Sequence, residues 1–211
     1  MPLLNPGSGK RAIEARRVRP PPRPCVRRTG KAPIAHAAFA LALILAGWAL
    51  PMSANSGAPE YIIKAAYLYK FTPFIEWPSS AFATPTSPFN LCVVGADPFG
   101  ASLDQAMAGH QVGDHPVRVL RLQALDGSEG CHILYLGGMS GDQAAAAISK
   151  VHGAPVLTVT EENAAVSGGV IQFVVRDGHV RFIIDAAAAA ANRVVISAKL
   201  LSLAASTRTG S

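Results

Sequence analysis

VIQFVVR-DG-HVRFIID, residues Val170–Asp185, is the stretch from which the fold class is read. Two runs rich in β-branched and aromatic residues flank Asp177-Gly178, a dipeptide suited to the tight turn of a two-residue β-hairpin. Pairing outward from that turn sets Val175 opposite Val180, Phe173 opposite Phe182 and Ile171 opposite Ile184, all on one face. Gln172, Val174, Arg181 and Ile183 fall on the other, more mixed face. Downstream, Asp185 is placed to cap the alanine run Ala186–Ala191, and Ser197 to cap a last helix, SAKLLSLA.

Upstream the pattern alternates between strand and helix. Residues 60–77, EYIIKAAYLYKFTPFIEW, recur at helical spacing through Ile63, Tyr67, Phe71 and Phe74, with Lys64 counted among the polar positions. Pro73 kinks or ends that helix and Trp77-Pro78 stops it, leaving SSAFATPTSP as a loop. Phe89–Val94 reads as a buried strand. Asp97-Pro98 reads as the start of a helix of about ten residues, with an N-cap followed by proline at the first helical position. Val117–Leu122 alternates as a strand, Cys131–Leu136 (CHILYL) is a buried one, and Val156–Val159 is another. Ser140 with Gln143 forms a capping box opening a helix to about Val151. Strands alternating with helices, closed by a hairpin, predict an α/β single domain: a mixed β-sheet flanked by helices, a Rossmann-like three-layer sandwich with a C-terminal hairpin and helices.

The other half of the reading is the leader. Nine of the 19 Lys+Arg lie in residues 1–31 beside a single carboxylate, Glu14. The uncharged run IAHAAFALALILAGWAL, Ile34–Leu50, follows, and then the small residues SANSGA. Positive, apolar and small segments in that order describe a secretory signal, with cleavage after Ala54 or Ala58. Seventeen apolar residues also sit at the lower limit for spanning a bilayer, so a retained anchor stays open. From Asn55 onward twelve of the 13 acidic residues face ten basic ones, leaving a net charge of about −2. The basic pI of 9.5 therefore belongs to the leader, and a nucleic-acid partner is excluded. The expected organisation is residues 1–58 as n-region plus signal, 59–206 as one domain in the periplasm, and 207–211 as a disordered tail. Cys92 and Cys131 remain after export. They are either a bridge, closing a loop of about forty residues at roughly 4 kcal/mol in the chain-entropy model, or two free buried thiols.

Enzyme chemistry is not visible. Gly95–Gly100 lies between strand and helix but lacks the Lys-Ser/Thr of a phosphate loop. His110, His115, His132, His152 and His179 make no metal-ligating spacing. Cys131 and His132 are strand neighbours pointing to opposite faces, so they cannot pair as nucleophile and base. No cofactor is expected. The turns at Gly95–Gly100 and Gly137–Gly141 fall at the carboxyl edge of the sheet, where open α/β folds place ligands. That supports a small-ligand binding module as the alternative function.

Taken together, the motifs resemble the YfiR-like family of periplasmic regulators, from about Glu60 to Ala205. They are the FIEWP end of the first helix (Phe74–Pro78), LCVVGADPFG (Leu91–Gly100), CHILY (Cys131–Tyr135) and PVLTVT (Pro155–Thr160). GGVIQF (Gly168–Phe173), VRFIID (Val180–Asp185) and ISAKLLSLA (Ile196–Ala204) complete the set. The resemblance implies a non-catalytic repressor that engages the periplasmic part of an inner-membrane diguanylate cyclase, or of a sensor kinase. Repression would lower cyclic-di-GMP and biofilm formation. It also implies a bridge between Cys92 and Cys131. A second cysteine pair of some relatives has no counterpart here, its places falling near Ala165 and Gln172. Where the family pattern has a glutamate, this chain has Ile183.

For the partner surface the first helix and its exit are the candidates. Tyr67, Lys70, Glu76 and Trp77 combine aromatic area with polar tips, as interfaces do. The competing reading makes Tyr67 and Trp77 plain core. A homodimer is left open, and membrane contact is expected only through the partner or an uncleaved signal.

Overall fold

The hairpin forms in the expected register, and the sheet grows from it. In the computed structural model, which describes residues 58–127, 129–164 and 169–209, β7 (Ile171–Arg176) and β8 (His179–Asp185) pair antiparallel. Val175 lies opposite Val180, Phe173 opposite Phe182 and Ile171 opposite Ile184. Asp177 takes a positive φ of 51° and Gly178 one of 72°, the two left-handed residues that a tight hairpin turn of matching twist requires. The leader lies outside the described residues.

Five further strands complete the body of the sheet: β2 (Phe89–Gly95), β4 (His115–Leu122), β5 (Ile133–Gly137), β6 (Leu157–Glu161) and a short β3 (Gln111–Val112). With β10 (Ser206–Arg208) at the far edge, the order is β10-β8-β7-β6-β5-β2-β4-β3. The run β4-β2-β5-β6-β7 is parallel, and antiparallel pairs at β7/β8 and β3/β4 make the sheet mixed. A separate two-residue ladder joins β1 (Ile75–Glu76) to β9 (Val195–Ile196).

Helices cover both faces. Phe89, Leu91, Val93, Ile133, Tyr135, Phe173 and Phe182 point to one core, shared with α1 (Ala58–Lys70), α2 (Ala101–Met107), α4 (Ala186–Ala191) and α5 (Ala198–Leu203). The alternate residues Cys92, Val94, Leu134 and Leu136 face α3 (Gly141–Val151) through Ala144, Ala147, Ile148 and Val151. The result is a single three-layer α/β domain, as the sequence pattern predicted. The Ser140–Gln143 capping box and the Asp185 and Ser197 caps are all formed.

Four local expectations differ. The first helix ends at Lys70, and Thr72–Phe74 is a 3-10 turn, because Pro73 removes the next helical donor. Its buried face is also rotated: Lys64 is buried while Ile62 and Ile63 stand 56% and 47% exposed. A carboxylate on the sheet, Glu161, draws Lys64 inward. Asp97 does not cap α2. Its Oδ1 accepts from the Phe99 and Gly100 amides, its Oδ2 accepts from Arg121, and α2 starts only after Gly100 turns the chain at φ 50°. Finally, Thr207 and Arg208 are not a disordered tail: they pair with Ile184 and Asp185 of β8. Arg208 is tied there by its bond to Gln172 Oε1, 3.1 Å away.

Candidate functional site

The chain runs from β2 to β4 on one side and then crosses to β5 on the other. The carboxyl ends of β2 and β5 therefore form a topological switch point, the crevice where open sheets accommodate ligands. Gly95 and Gly137 sit opposite each other there, and the Ala96 amide donates to the Gly137 carbonyl at 2.9 Å. A Cβ on Gly95 or Gly137 would collide with the backbone of the other turn, so both must be glycine for the turns to close. Beyond them lies an open cleft of about 430 Å³, bordered by Ala96, Gln123, Gly138, Met139, Gln143 and Lys150. Lys150 is already engaged, donating to the Leu125 carbonyl at 2.6 Å. The cleft is thus mildly polar, with one ammonium on its wall, and its walls hold no nucleophile–base pair. Among the described residues no His/Cys/Asp/Glu group is arranged to hold a metal ion.

On the helix-rich face, α1 is fastened by a buried charged cluster. Lys64 Nζ sits 2.6 Å from Glu60 and 3.0 Å from Glu161, the last residue of β6. Tyr61 and Tyr135 both donate to Glu161. Burial acts to lower the Lys64 pKa, but the bonds to Glu60 and Glu161 outweigh it and hold the ammonium above its ordinary value. Burial, reinforced by the Glu161 carboxylate, pushes the Tyr135 hydroxyl far up, so it stays a donor. Every partner in this cluster is satisfied, which suits a fastening better than a binding pocket.

At the amino edge of the same sheet, Cys92 and Cys131 are bridged with Cα atoms 5.8 Å apart. Cys92 lies within β2, and Cys131 lies two residues before β5 rather than on it. The next residue, His132, is buried and held between Phe82 and Phe89, with ring centroids at 4.5 and 4.8 Å. Its carbonyl accepts from the Trp77 indole at 3.2 Å. Sequence reasoning weighed His132 only for metal or nucleophile chemistry and missed this setting. The pointer was there in the aromatic content of residues 74–82.

The proposed partner residues do not form one cluster. Tyr67 is half-buried against Phe71, Phe173 and Phe182, in the hairpin core. Trp77 packs edge-on to Phe89 at 4.9 Å, on a strand three places away in the sheet, or about 14 Å at ordinary strand spacing. Lys70 and Glu76 are exposed, at the end of α1 and on β1. Beside Lys70, Tyr69 stacks on His110 at 3.9 Å.

Bridge, sheet and helices define a small α/β domain stapled at one edge of a mixed eight-stranded sheet, with no membrane-spanning helix among the described residues. The YfiR/HmsC-like family model matches residues 61–205, which is nearly the whole of this domain. The chain belongs to the YfiR/HmsC-like family, known for periplasmic regulators of diguanylate cyclases. No curated protein matches the chain.

Proposed function

We propose that the domain is an exported negative regulator. It binds the periplasmic region of a membrane diguanylate cyclase, or of a related sensor, and holds it in its inactive state. The family match over residues 61–205 carries this reading. Two features of the chain agree with it: a leader of secretory pattern, and a bridged cysteine pair suited to an oxidising compartment. The mechanism needs no chemistry. A regulator that binds the inactive cyclase more tightly shifts its population by that difference alone, and a hundredfold shift needs about 2.7 kcal/mol of differential affinity.

For the contact surface we propose the outer side of α1 and its exit. Ile62 and Ile63 offer exposed apolar area there, and Lys70 and Glu76 supply charge. Tyr67 and Trp77 then act from behind, shaping that surface rather than touching the partner. The test is a strain lacking the gene, assayed for cyclic-di-GMP and complemented with wild type or with Lys70→Glu/Glu76→Lys. Elevated cyclic-di-GMP restored by wild type supports the regulator, and an unchanged level in the deletion strain refutes it. Failure of the double variant to restore repression, with normal export, places the surface at α1. Full restoration moves it elsewhere.

The cleft at the switch point favours one second reading, a small-ligand binding module. Thermal unfolding measured against a panel of metabolites tests it. A ligand whose stabilisation disappears in Ala146→Trp, which fills the cleft, supports this reading, and a panel without any shift argues against it.

A further inference from the structure

Residues 78–88 form a strap that leaves the α1–β1 side, crosses the amino edge of the sheet and enters β2. Most of its side chains are exposed, and Phe82 is its apolar anchor. Its own hydrogen bonds are local: the 3-10 turn Ser79–Ala81, and a Thr84–Ser87 turn closed at 2.8 and 2.9 Å. Among the described residues, the side-chain hydrogen bonds from the sheet to the strap run through two histidines. His132 Nε2 bonds the Ala81 carbonyl at 3.1 Å, and His115 Nδ1 bonds the Ser87 carbonyl at 2.7 Å. The same two rings clasp Phe82, with His115 stacked at 3.6 Å and 7° between planes and His132 on the other side at 4.5 Å.

The partners of His132 settle its protonation state. Its Nδ1 receives the backbone N–H of Asn90 at 3.0 Å, so Nδ1 must be an acceptor and carry no proton. Its Nε2 faces a carbonyl and must be the donor. The ring is therefore the neutral Nε2–H tautomer with both nitrogens in use, in a residue only 3% exposed. A second proton would have to enter at Nδ1, directly against the Asn90 N–H, and would place a charge between two phenylalanine rings.

We propose that the strap is a pH-operated latch, in which protonation of His132 releases residues 78–88 from the amino edge of the sheet while the rest of the domain stays folded.

Against the new charge the surroundings set only the Ala81 carbonyl and two aromatic faces, and protonation at Nδ1 costs the ring its bond from the Asn90 amide. The ring packs against Phe89 of β2 and Phe82 of the strap, with His115 of β4 beyond Phe82 as the other titratable group. Glu129, on the loop before Cys131, turns its carboxylate to the Asp126 and Gly127 amides. Asp114 and Glu76 are exposed, and no ion pair to His132 exists among the described residues. Burial pulls the imidazole down to about 4, against the raising effect of the Ala81 carbonyl and with a further lowering from His115. The sheet next to the ring, by contrast, is stapled by the Cys92–Cys131 bridge, so the strap is the part free to move. An exported protein meets the pH of its surroundings, and the latch does not depend on which partner the domain takes.

Trp77 donates its indole N–H to the His132 carbonyl and is thus a built-in reporter. In the full chain carrying Trp48→Phe it is the only tryptophan. Its emission and the amide exchange of residues 79–87 are followed from pH 7.5 to pH 4, with far-UV circular dichroism alongside. The latch predicts one step in emission below pH 6.5, at least a tenfold loss of exchange protection in the strap, and an unchanged dichroism spectrum. His132→Gln, which does not titrate, abolishes the step. Emission that ignores pH, a step that persists in His132→Gln, or dichroism that falls together with emission overturns the proposal. Should His132→Gln not fold, ring 15N spectra of the wild-type chain decide. The neutral Nε2–H tautomer of His132 at pH 6 supports the latch, and a charged ring at that pH overturns it.

Discussion

The domain is fastened at two places by clusters of opposite character. Over the carboxyl half of the sheet, α1 is held by full charges: Lys64 between Glu60 and Glu161, with two tyrosine hydroxyls on the same carboxylate. At the amino edge, the strap is held by a neutral imidazole, aromatic faces and backbone amides, next to a covalent bridge. The Lys64 ammonium is held above its ordinary pKa by its two carboxylate partners and stays charged as pH changes. A neutral histidine with both nitrogens committed is stable only while it stays neutral. One sheet therefore carries a charged fastening and a neutral one, and the neutral one sits on a strap whose side chains are mostly exposed.

The largest effect should come from the bridge. Cys92→Ser/Cys131→Ser releases a loop spanning 39 residues and should cost about 4 kcal/mol in urea unfolding. Chemical reduction of the wild type should match it. A loss below about 1 kcal/mol would mean that the denatured chain is not constrained by the bridge. The charged cluster comes next. Glu161→Gln leaves Lys64, whose side chain is 3% exposed, with Glu60 as its only anion, and should cost about 3 kcal/mol. Lys64→Met should cost less, because Glu161 keeps Tyr61 and Tyr135 as donors. Equal losses would show that the tyrosines contribute nothing to holding the carboxylate.

Acid separates the two fastenings. The His132 pKa in the folded protein lies below that of the unfolded chain, so the unfolded state takes up the proton first. Stability is then lost as pH falls below 6.5, levelling off near 4. Between pH 7.5 and pH 5 this amounts to about 2 kcal/mol by linkage, and His132→Gln should lack that share. Lys64, held above its ordinary pKa, stays protonated throughout the range. The penalty of Glu161→Gln measured in the His132→Gln background should thus be the same at both pH values. A penalty that shrinks in acid would place the pH sensitivity in the charged cluster instead.

Much of this architecture was legible where local chemistry and tertiary structure agree. The Asp177-Gly178 turn sets its own register, and the Ser140, Asp185 and Ser197 caps each need only a neighbour three residues away. Periodicity failed on α1, because it ranks residues by polarity and Lys64 is buried by a partner 97 residues distant. Asp97 misled for the same reason, its carboxylate being drawn to Arg121, 24 residues on. Thr207 and Arg208 are placed by β8 and, for Arg208, by Gln172, partners more than 20 residues away that no local pattern reveals. The latch residues were all visible as letters, but their stacking order, His115–Phe82–His132–Phe89, draws on the strap and three strands or their approaches and exists only in the folded sheet.

The smallest expected effects concern two caps that differ as the two fastenings do. Ser140 opens the eleven-residue α3 through a neutral pair of bonds, Gln143 N–H to its hydroxyl at 3.4 Å and its own N–H to Gln143 Oε1 at 3.0 Å. Asp185 opens the six-alanine α4 through one charged acceptor, 2.8 Å from the Ala188 amide. Either residue changed to Ala should cost about 1 kcal/mol. Asn in place of Asp185 separates hydrogen bonding from charge. It retains the acceptor and loses the interaction with the helix dipole, so it should cost about 0.5 kcal/mol and become less costly in high salt. A salt-independent loss of the full 1 kcal/mol would show that α4 is held by the geometry of the carboxylate and not by its charge. The α4 cap would then stand with the neutral fastening of the strap and not with the charged one of α1.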